Sequence, residues 1–310
     1  MTEKARRIIE EVKKVIVGKD DVVEKVLLVI LASGHILLED VPGVGKTTLA
    51  LAFSKAMSLD YRRVQFTPDT MASDIVGFSI YNKQTGGLEY KRGAAFCNLL
   101  LADEINRTSP KTQAALLESM EEKRVSVDGI THDLPEPFIC IATQNPVGSA
   151  GTQNLPESQL DRFMVRLSMG YPSLRHQVEI IMDRQGKDPL KLVEPVLDVA
   201  DILEIRAEVN TVYAAEEIVL YCAALCEATR AHPSVERGVS PRAVMAVISL
   251  AKAHAFLDGR DYLIPEDIQA VFVDVCCHRI ILNPQAKIKK EVPQAILREL
   301  IGTIKPPNIV

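Results

Sequence analysis

The stretch Val41-Pro42-Gly43-Val44-Gly45-Lys46-Thr47-Thr48 constrains this chain more than any other. The apolar run Ile36-Leu37-Leu38 before it reads as a buried strand, and residues 49–57 after it read as a helix. A strand, a glycine-rich turn and a helix opening on Lys-Thr form the setting of a phosphate-binding loop. Glycine at 43 and 45 lets backbone N–H groups approach a phosphate chain with no Cβ in the way. The helix N-terminus adds unsatisfied donors and partial positive charge. In such a loop Lys46 reaches the β- and γ-phosphates, and the Thr47 hydroxyl faces Mg2+. The strict pattern has glycine where this chain has Asp40. A carboxylate repels a triphosphate, so the Asp40 side chain is expected to turn away. The competing reading of these residues alone is an ordinary strand–turn–helix with a surface lysine.

A second feature takes its meaning from the first. Residues 98–104, Asn-Leu-Leu-Leu-Ala-Asp-Glu, read as a central parallel strand buried on both faces and ending in two adjacent carboxylates. Ligands of open α/β sheets bind at such strand ends. Beside a phosphate-binding loop, Asp103 reads as the acid that holds Mg2+ through water, and Glu104 as the base that polarises an attacking water. Without that loop the pair would merely start a turn. Residues 138–143 are another all-apolar strand. Asn145 beyond it either orients the same water or opens an Asn-Pro turn.

At 310 residues the chain is long for one core, so two domains are expected. A net charge of −5, the absence of tryptophan and 5% aromatic residues argue against nucleic acid as the main partner. The charged N-terminus lacks an apolar signal core, and no uncharged run approaches the roughly 18 residues that span a bilayer. Six cysteines without framework spacing suit a reduced, cytoplasmic chain. Cys222 and Cys226 share a helix face and Cys276-Cys277-His278 are adjacent, but neither cluster has zinc-ligand spacing, so both read as core residues.

The remaining elements follow from periodicity. An amphipathic helix is expected over 3–16, and Asp20 is expected to cap another over 21–33. A strand is expected at 63–66, and hairpins at 77–91 and 125–131, the second turning on Asp128-Gly129. Thr108 or Ser109 caps a helix reaching Glu122, with Pro110 in its first turn. Residues 148–153 read as a flexible loop, and a short helix then leads into a strand over 163–168. Asp161 and Arg162 could pair with each other. From Tyr171 onward only helical spacing recurs. Ser240-Pro241-Arg242 reads as an N-cap, and Arg242 faces either nucleotide or water.

These stretches, in this order, resemble the MoxR family of AAA+ ATPases. The resemblance runs through residues 15–19 (Val-Ile-Val-Gly-Lys), 38–47, 63–69 (Arg-Val-Gln-Phe-Thr-Pro-Asp), 100–107, 141–146 and 155–163. It implies an α/β P-loop NTPase core with a parallel five-stranded sheet and inserted β-hairpins over residues 1–170. An all-α lid follows over residues 171–310. It further implies ATP and Mg2+ as ligands and hydrolysis to ADP and phosphate. Asn145 matches sensor 1, Arg162 the arginine finger acting on a neighbouring subunit, and Arg242 sensor 2; Arg166 is the alternative finger. Val17 and Gly18 match the adenine-side segment, and the two hairpins match the helix-2 insert and the pre-sensor 1 hairpin. Family members assemble as homo-oligomers, usually hexameric rings, and remodel or activate protein clients, often with von Willebrand A domains. A DNA-directed motor or chelatase-like subunit shares the hairpins, but residues 125–137 contain no lysine or arginine.

Overall fold

The structure, a computed structural model, describes residues 3–145, 155–183 and 188–307. The chain opens with α1 (Glu3–Lys13) and α2 (Asp20–Leu31), whose apolar faces bury Ile8, Val12, Val23 and Leu27. Asp20 is the first residue of α2 and pairs with Lys13; Lys19 takes the cap position with no side-chain cap bond, so the expected aspartate cap does not form. β1 (Ile36–Glu39), the P-loop and α3 (Lys46–Ala56) follow, then β2 (Tyr61–Gln65) and α4 (Ala72–Val76).

β3 (Gly77–Asn82) and β4 (Gly87–Arg92) form the first hairpin, with Phe78 opposite Lys91. β5 (Leu99–Asp103) leads to α5 (Pro110–Glu122), where the Ser109 hydroxyl accepts the Thr112 N–H as an N-cap. β6 (Arg124–Val127) and β7 (Ile130–Asp133) form the second hairpin, its turn built on positive φ at both Asp128 and Gly129. The hairpins meet where His132 stacks on Tyr90 at 4.1 Å. β8 (Ile139–Gln144), α6 (Glu157–Leu160) and β9 (Val165–Leu167) complete the core. The loop expected over 148–153 lies outside the described residues.

Five strands make one parallel sheet in the order β2-β5-β8-β1-β9. β5 and β8 are buried at every residue, as their unbroken apolar runs require. Every strand runs the same way, so all C-terminal ends share one edge of the sheet and all N-terminal ends the other.

The helical remainder comprises α7 (Leu174–Asp183), α8 (Val199–Thr211), α9 (Glu216–Ala231), α10 (Pro241–Leu257), α11 (Pro265–Cys276), α12 (Pro284–Ile288) and α13 (Pro293–Thr303). Periodicity missed one feature: β10 (Val235–Arg237) and β11 (Ile281–Leu282) pair antiparallel, a ribbon too short to show a pattern. α10 and α11 are locked by a buried charge. Asp267, fully buried, accepts two bonds from Arg260 at 2.6 and 2.7 Å, another from the Ile264 N–H at 2.9 Å, and lies 2.7 Å from His254 Nδ1. All six cysteines are free and buried. Among the described residues no helix is long and apolar enough to cross a membrane.

Candidate active site

A cavity of about 550 Å³ lies at the C-terminal edge of the sheet. Every residue from Pro42 to Thr48 lines it, together with Asp103, Glu104 and Asn145. Gly43 and Gly45 carry φ of +86° and +101°, a region that other residues avoid. A Cβ on Gly43 would meet nothing within 4 Å, so the loop curls around open space. Gly45 is the N-cap of α3, which aims that helix's unpaired N–H groups into the same space.

Lys46 is buried, and its ammonium donates to the carbonyls of Asp40 at 2.7 Å and Val41 at 3.3 Å. Among the described residues no carboxylate lies in ion-pair range of it, and burial pushes its pKa below the usual lysine value. A buried cation held only by carbonyls fits a site for an anion. Asp40 does turn away. Its carboxylate accepts from Ser168 Oγ at 2.9 Å and from the backbone N–H groups of Met169 and Gly170, tying the loop to the segment after β9.

Thr143 links the Asp103 carboxylate to the Glu104 backbone. Its hydroxyl donates to Asp103 Oδ1 at 2.6 Å and accepts the Glu104 N–H at 2.9 Å. The other Asp103 oxygen accepts from Arg63 Nη2 at 2.6 Å and Nε at 3.2 Å. Glu104 has φ of +59°, a left-handed conformation that costs a non-glycine residue about 1 kcal/mol. The strain is held by partners on both oxygens: Asn145 Nδ2 donates to Oε1 at 3.1 Å and Arg107 to Oε2 at 2.8 Å. Asn106 in turn fixes the Asn145 carbonyl at 3.2 Å. Arg63 and Thr143 escaped the sequence reading. Thr143 carried a signal, a polar residue closing an apolar strand; Arg63, in a short half-exposed strand, carried none.

Four candidate residues stand outside this cavity. Val17 and Gly18 line a separate space of about 460 Å³ with His176, whose ring lies against Gly18. α7 divides the two spaces, presenting Gln177 and Ile180 to the P-loop and His176 and Glu179 to Val17 and Gly18. Arg162 and Arg242 lie at the opposite edge of the sheet, in a cavity of about 290 Å³ lined by Ser33, Gly34 and His35 at the entrance to β1. Both reach Glu121, Arg242 Nη1 at 2.8 Å and Arg162 Nε at 3.2 Å.

Asp161 and Arg162 do not pair. Asp161 instead accepts from Arg279 at 2.6 Å and from Ser240 Oγ at 3.1 Å, so Ser240 bridges lid to core rather than capping α10 with its side chain. Arg279 is nearly buried and also donates to the carbonyls of Asp161, Phe163 and Met164, clamping the turn that carries Arg162. Arg166 lies in β9 and pairs with Glu39 at 3.4 Å.

A P-loop after β1, two acids ending β5, a polar residue after β8 and a helical lid, on this strand order, define a P-loop ATPase of the AAA+ class. Residues 35–165 match the ATPase family associated with various cellular activities (AAA), and residues 227–300 match the AAA lid domain. The chain belongs to the MoxR family. It is 38% identical to Chaperone MoxR1 of Mycobacterium tuberculosis, over 98% of this chain and 82% of that one. It is 31% identical to Protein MoxR of Methylorubrum extorquens, over 98% and 95%. Uncharacterized protein YeaC of Bacillus subtilis is 46% identical, over 97% and 94%. Among solved structures, a candidate ATPase from Cytophaga hutchinsonii superposes with a TM-score of 0.90 at 39% identity, covering 98% of this chain and 95% of that one.

Proposed function

We propose that this MoxR-type ATPase binds ATP in the C-terminal cavity, hydrolyses it to ADP and phosphate, and uses the cycle to remodel or activate protein clients. One observation carries the hydrolytic reading. Glu104 is held in a strained conformation beside Asn145, in the same cavity as the P-loop. In this reading the Gly43–Thr48 backbone and Lys46 cradle the triphosphate, Glu104 takes a proton from the attacking water, and Asn145 orients both. Thr47 and Asp103 would hold a magnesium ion, which neutralises phosphate charge when bound. Val17 and Gly18 would face the adenine once α7 shifts, and Tyr171 would mark the start of the lid.

Arg162 and Arg242 serve a different nucleotide. They line the edge opposite their own P-loop, so the anion they meet is supplied by a second copy. The chain then works as a head-to-tail homo-oligomer, and a heterologous contact of that kind makes a ring where its rotation closes. The name of Chaperone MoxR1 supports protein clients; a hexameric ring and clients with von Willebrand A domains are what the MoxR resemblance adds to this proposal.

Glu104→Gln tests the chemistry: ATP affinity should persist while turnover falls by about 100-fold or more. Wild-type turnover would remove Glu104 from the base role. Mixing Arg162→Ala with Lys46→Ala chains tests the division of labour. Each is inactive by itself, and activity should return in the mixture; no recovery would mean the arginine acts on its own subunit.

A further inference from the structure

We propose that Glu121 is a positioning residue, the anion that sets Arg162 and Arg242 side by side for a neighbour's phosphate. This rests on the reading that both arginines act on the next subunit. Arg162 leaves the turn after α6, and Arg242 leaves the first turn of α10 in the lid. They are distant in sequence and belong to different parts of the fold, yet each pairs with a different oxygen of the same carboxylate, Arg242 through a hydrogen bond and Arg162 through an ion pair. Two guanidiniums in one small cavity repel each other, and Lys123 and Arg279 line that cavity as well. One carboxylate between them removes the repulsion that would splay them. It leaves the pair with net positive charge, which an incoming phosphate still needs.

The geometry of the holder matters too. Glu121 lies in the last turn of α5, whose first turn follows closely on Glu104. Glu121 lies eleven residue steps along the helix from Pro110, a span of about 16 Å, so one rigid rod joins the base of one site to the arginines serving the next. The Met120 carbonyl beside it is fixed by His35 Nε2 at 3.0 Å, and the His35 Nδ1 accepts the Cys140 N–H at 3.0 Å. The carboxylate therefore sits on an anchored backbone. Each guanidinium carries five N–H donors and meets Glu121 through one nitrogen, so the carboxylate can orient both without consuming their forks.

The test is the steady-state kinetics of Glu121→Gln, Glu121→Ala and Glu121→Asp, with nucleotide affinity and oligomer size measured alongside. A misplaced transition-state contact costs rate rather than ground-state binding. The Gln and Ala variants should therefore lose about tenfold or more in kcat. Their KM for ATP, ADP affinity and light-scattering mass should stay at wild-type values. Glu121→Asp, which keeps the charge on a shorter arm, should recover most of the loss. Wild-type kcat in Glu121→Gln would overturn the proposal, as would a rise in KM with kcat preserved. Loss of folding in the Gln and Ala variants would assign Glu121 to the core–lid clasp alone, which also overturns it. If the Arg162→Ala and Lys46→Ala mixture fails to recover activity, it is the reading beneath this one that falls.

Discussion

The two edges of the central sheet carry similar charge and handle it in opposite ways. At the C-terminal edge Lys46 is buried and finds only carbonyls, while the acids beside it are held by Arg63 and Thr143 on Asp103 and by Arg107 and Asn145 on Glu104. At the N-terminal edge the cations come as a half-exposed pair sharing one acid. The first edge is shaped by backbone, with glycine conformations and a helix N-terminus; the second is shaped by long side chains. Backbone cradles bind ground-state phosphates tightly, whereas arginine forks can be brought in and withdrawn. Under the proposed head-to-tail arrangement, one nucleotide between two copies would bring negative charge to both edges. A parallel sheet makes this arrangement natural, because it gives every strand the same two faces to divide between binding and stimulation.

Breaking each edge separately is the sharpest use of that contrast. Lys46→Ala should abolish nucleotide binding, whereas Arg162→Ala should leave binding intact and reduce turnover by about 1,000-fold. Arg242→Ala should act in the same direction as Arg162→Ala. Equilibrium binding of a fluorescent ADP analogue, set against phosphate release, separates the two outcomes. If Arg162→Ala weakened binding as much as Lys46→Ala does, the edges would not be functionally distinct.

The N-terminal edge should also be the acid-sensitive one. His35 is buried against Met120 and Cys140, and burial pushes its pKa down to about 4. His278, held by the Phe163 carbonyl behind the arginine turn, is pushed down as well, mainly by burial and by nearby arginine charge. Unfolded histidine takes up its proton near pH 6.5, and folded His35 only near pH 4. Protons therefore favour the unfolded chain across that window. The stability from neutral His35 is complete above pH 6.5 and is lost as pH falls toward 4, on the order of 3 kcal/mol. Urea midpoints measured at pH 7.5 and 4.5 should show the loss, and His35→Gln should shrink the difference. An equal pH dependence in that variant would remove His35 as its source.

The two edges were unequally legible in the sequence, for a physical reason. The nucleotide edge is built from contiguous stretches, since a backbone cradle and a strand end are local objects. Gly43, Gly45, Lys46, Asp103 and Glu104 therefore announced themselves by spacing alone. The arginine edge is assembled from α5, the turn before β9 and the lid, and no local pattern relates Glu121 to Arg162 or Arg242. Resemblance singled out the two arginines, but only the fold brought them to one acid. The Asp161–Arg162 pair looked plausible because the residues adjoin, and it failed because Arg279, far along the chain, takes Asp161. Val17 and Gly18 were named from resemblance as well, and α7, whose amphipathic face gave no sign of where it would dock, stands between them and the P-loop.

Arg63 offers the smallest and most discriminating break in the contrast, because it sets an arginine on the acid beside the backbone cradle. Its guanidinium covers the Asp103 oxygen that Thr143 leaves over, so a divalent cation held by Asp103, directly or through water, competes with it for that carboxylate's charge. The Arg63 side chain is 46% exposed, and its second partner, Gln65, is also on the surface, so displacement costs little. Arg63→Ala should leave ADP affinity in EDTA unchanged and tighten Mg2+ binding to the ADP complex by about threefold to tenfold, the share of about 1 kcal/mol that a screened pair retains. Calorimetric titration of ADP with and without Mg2+ measures both quantities. If ADP affinity in EDTA dropped instead, Arg63 would be a phosphate ligand like the arginines of the far edge, and the division between a backbone edge and a side-chain edge would not hold.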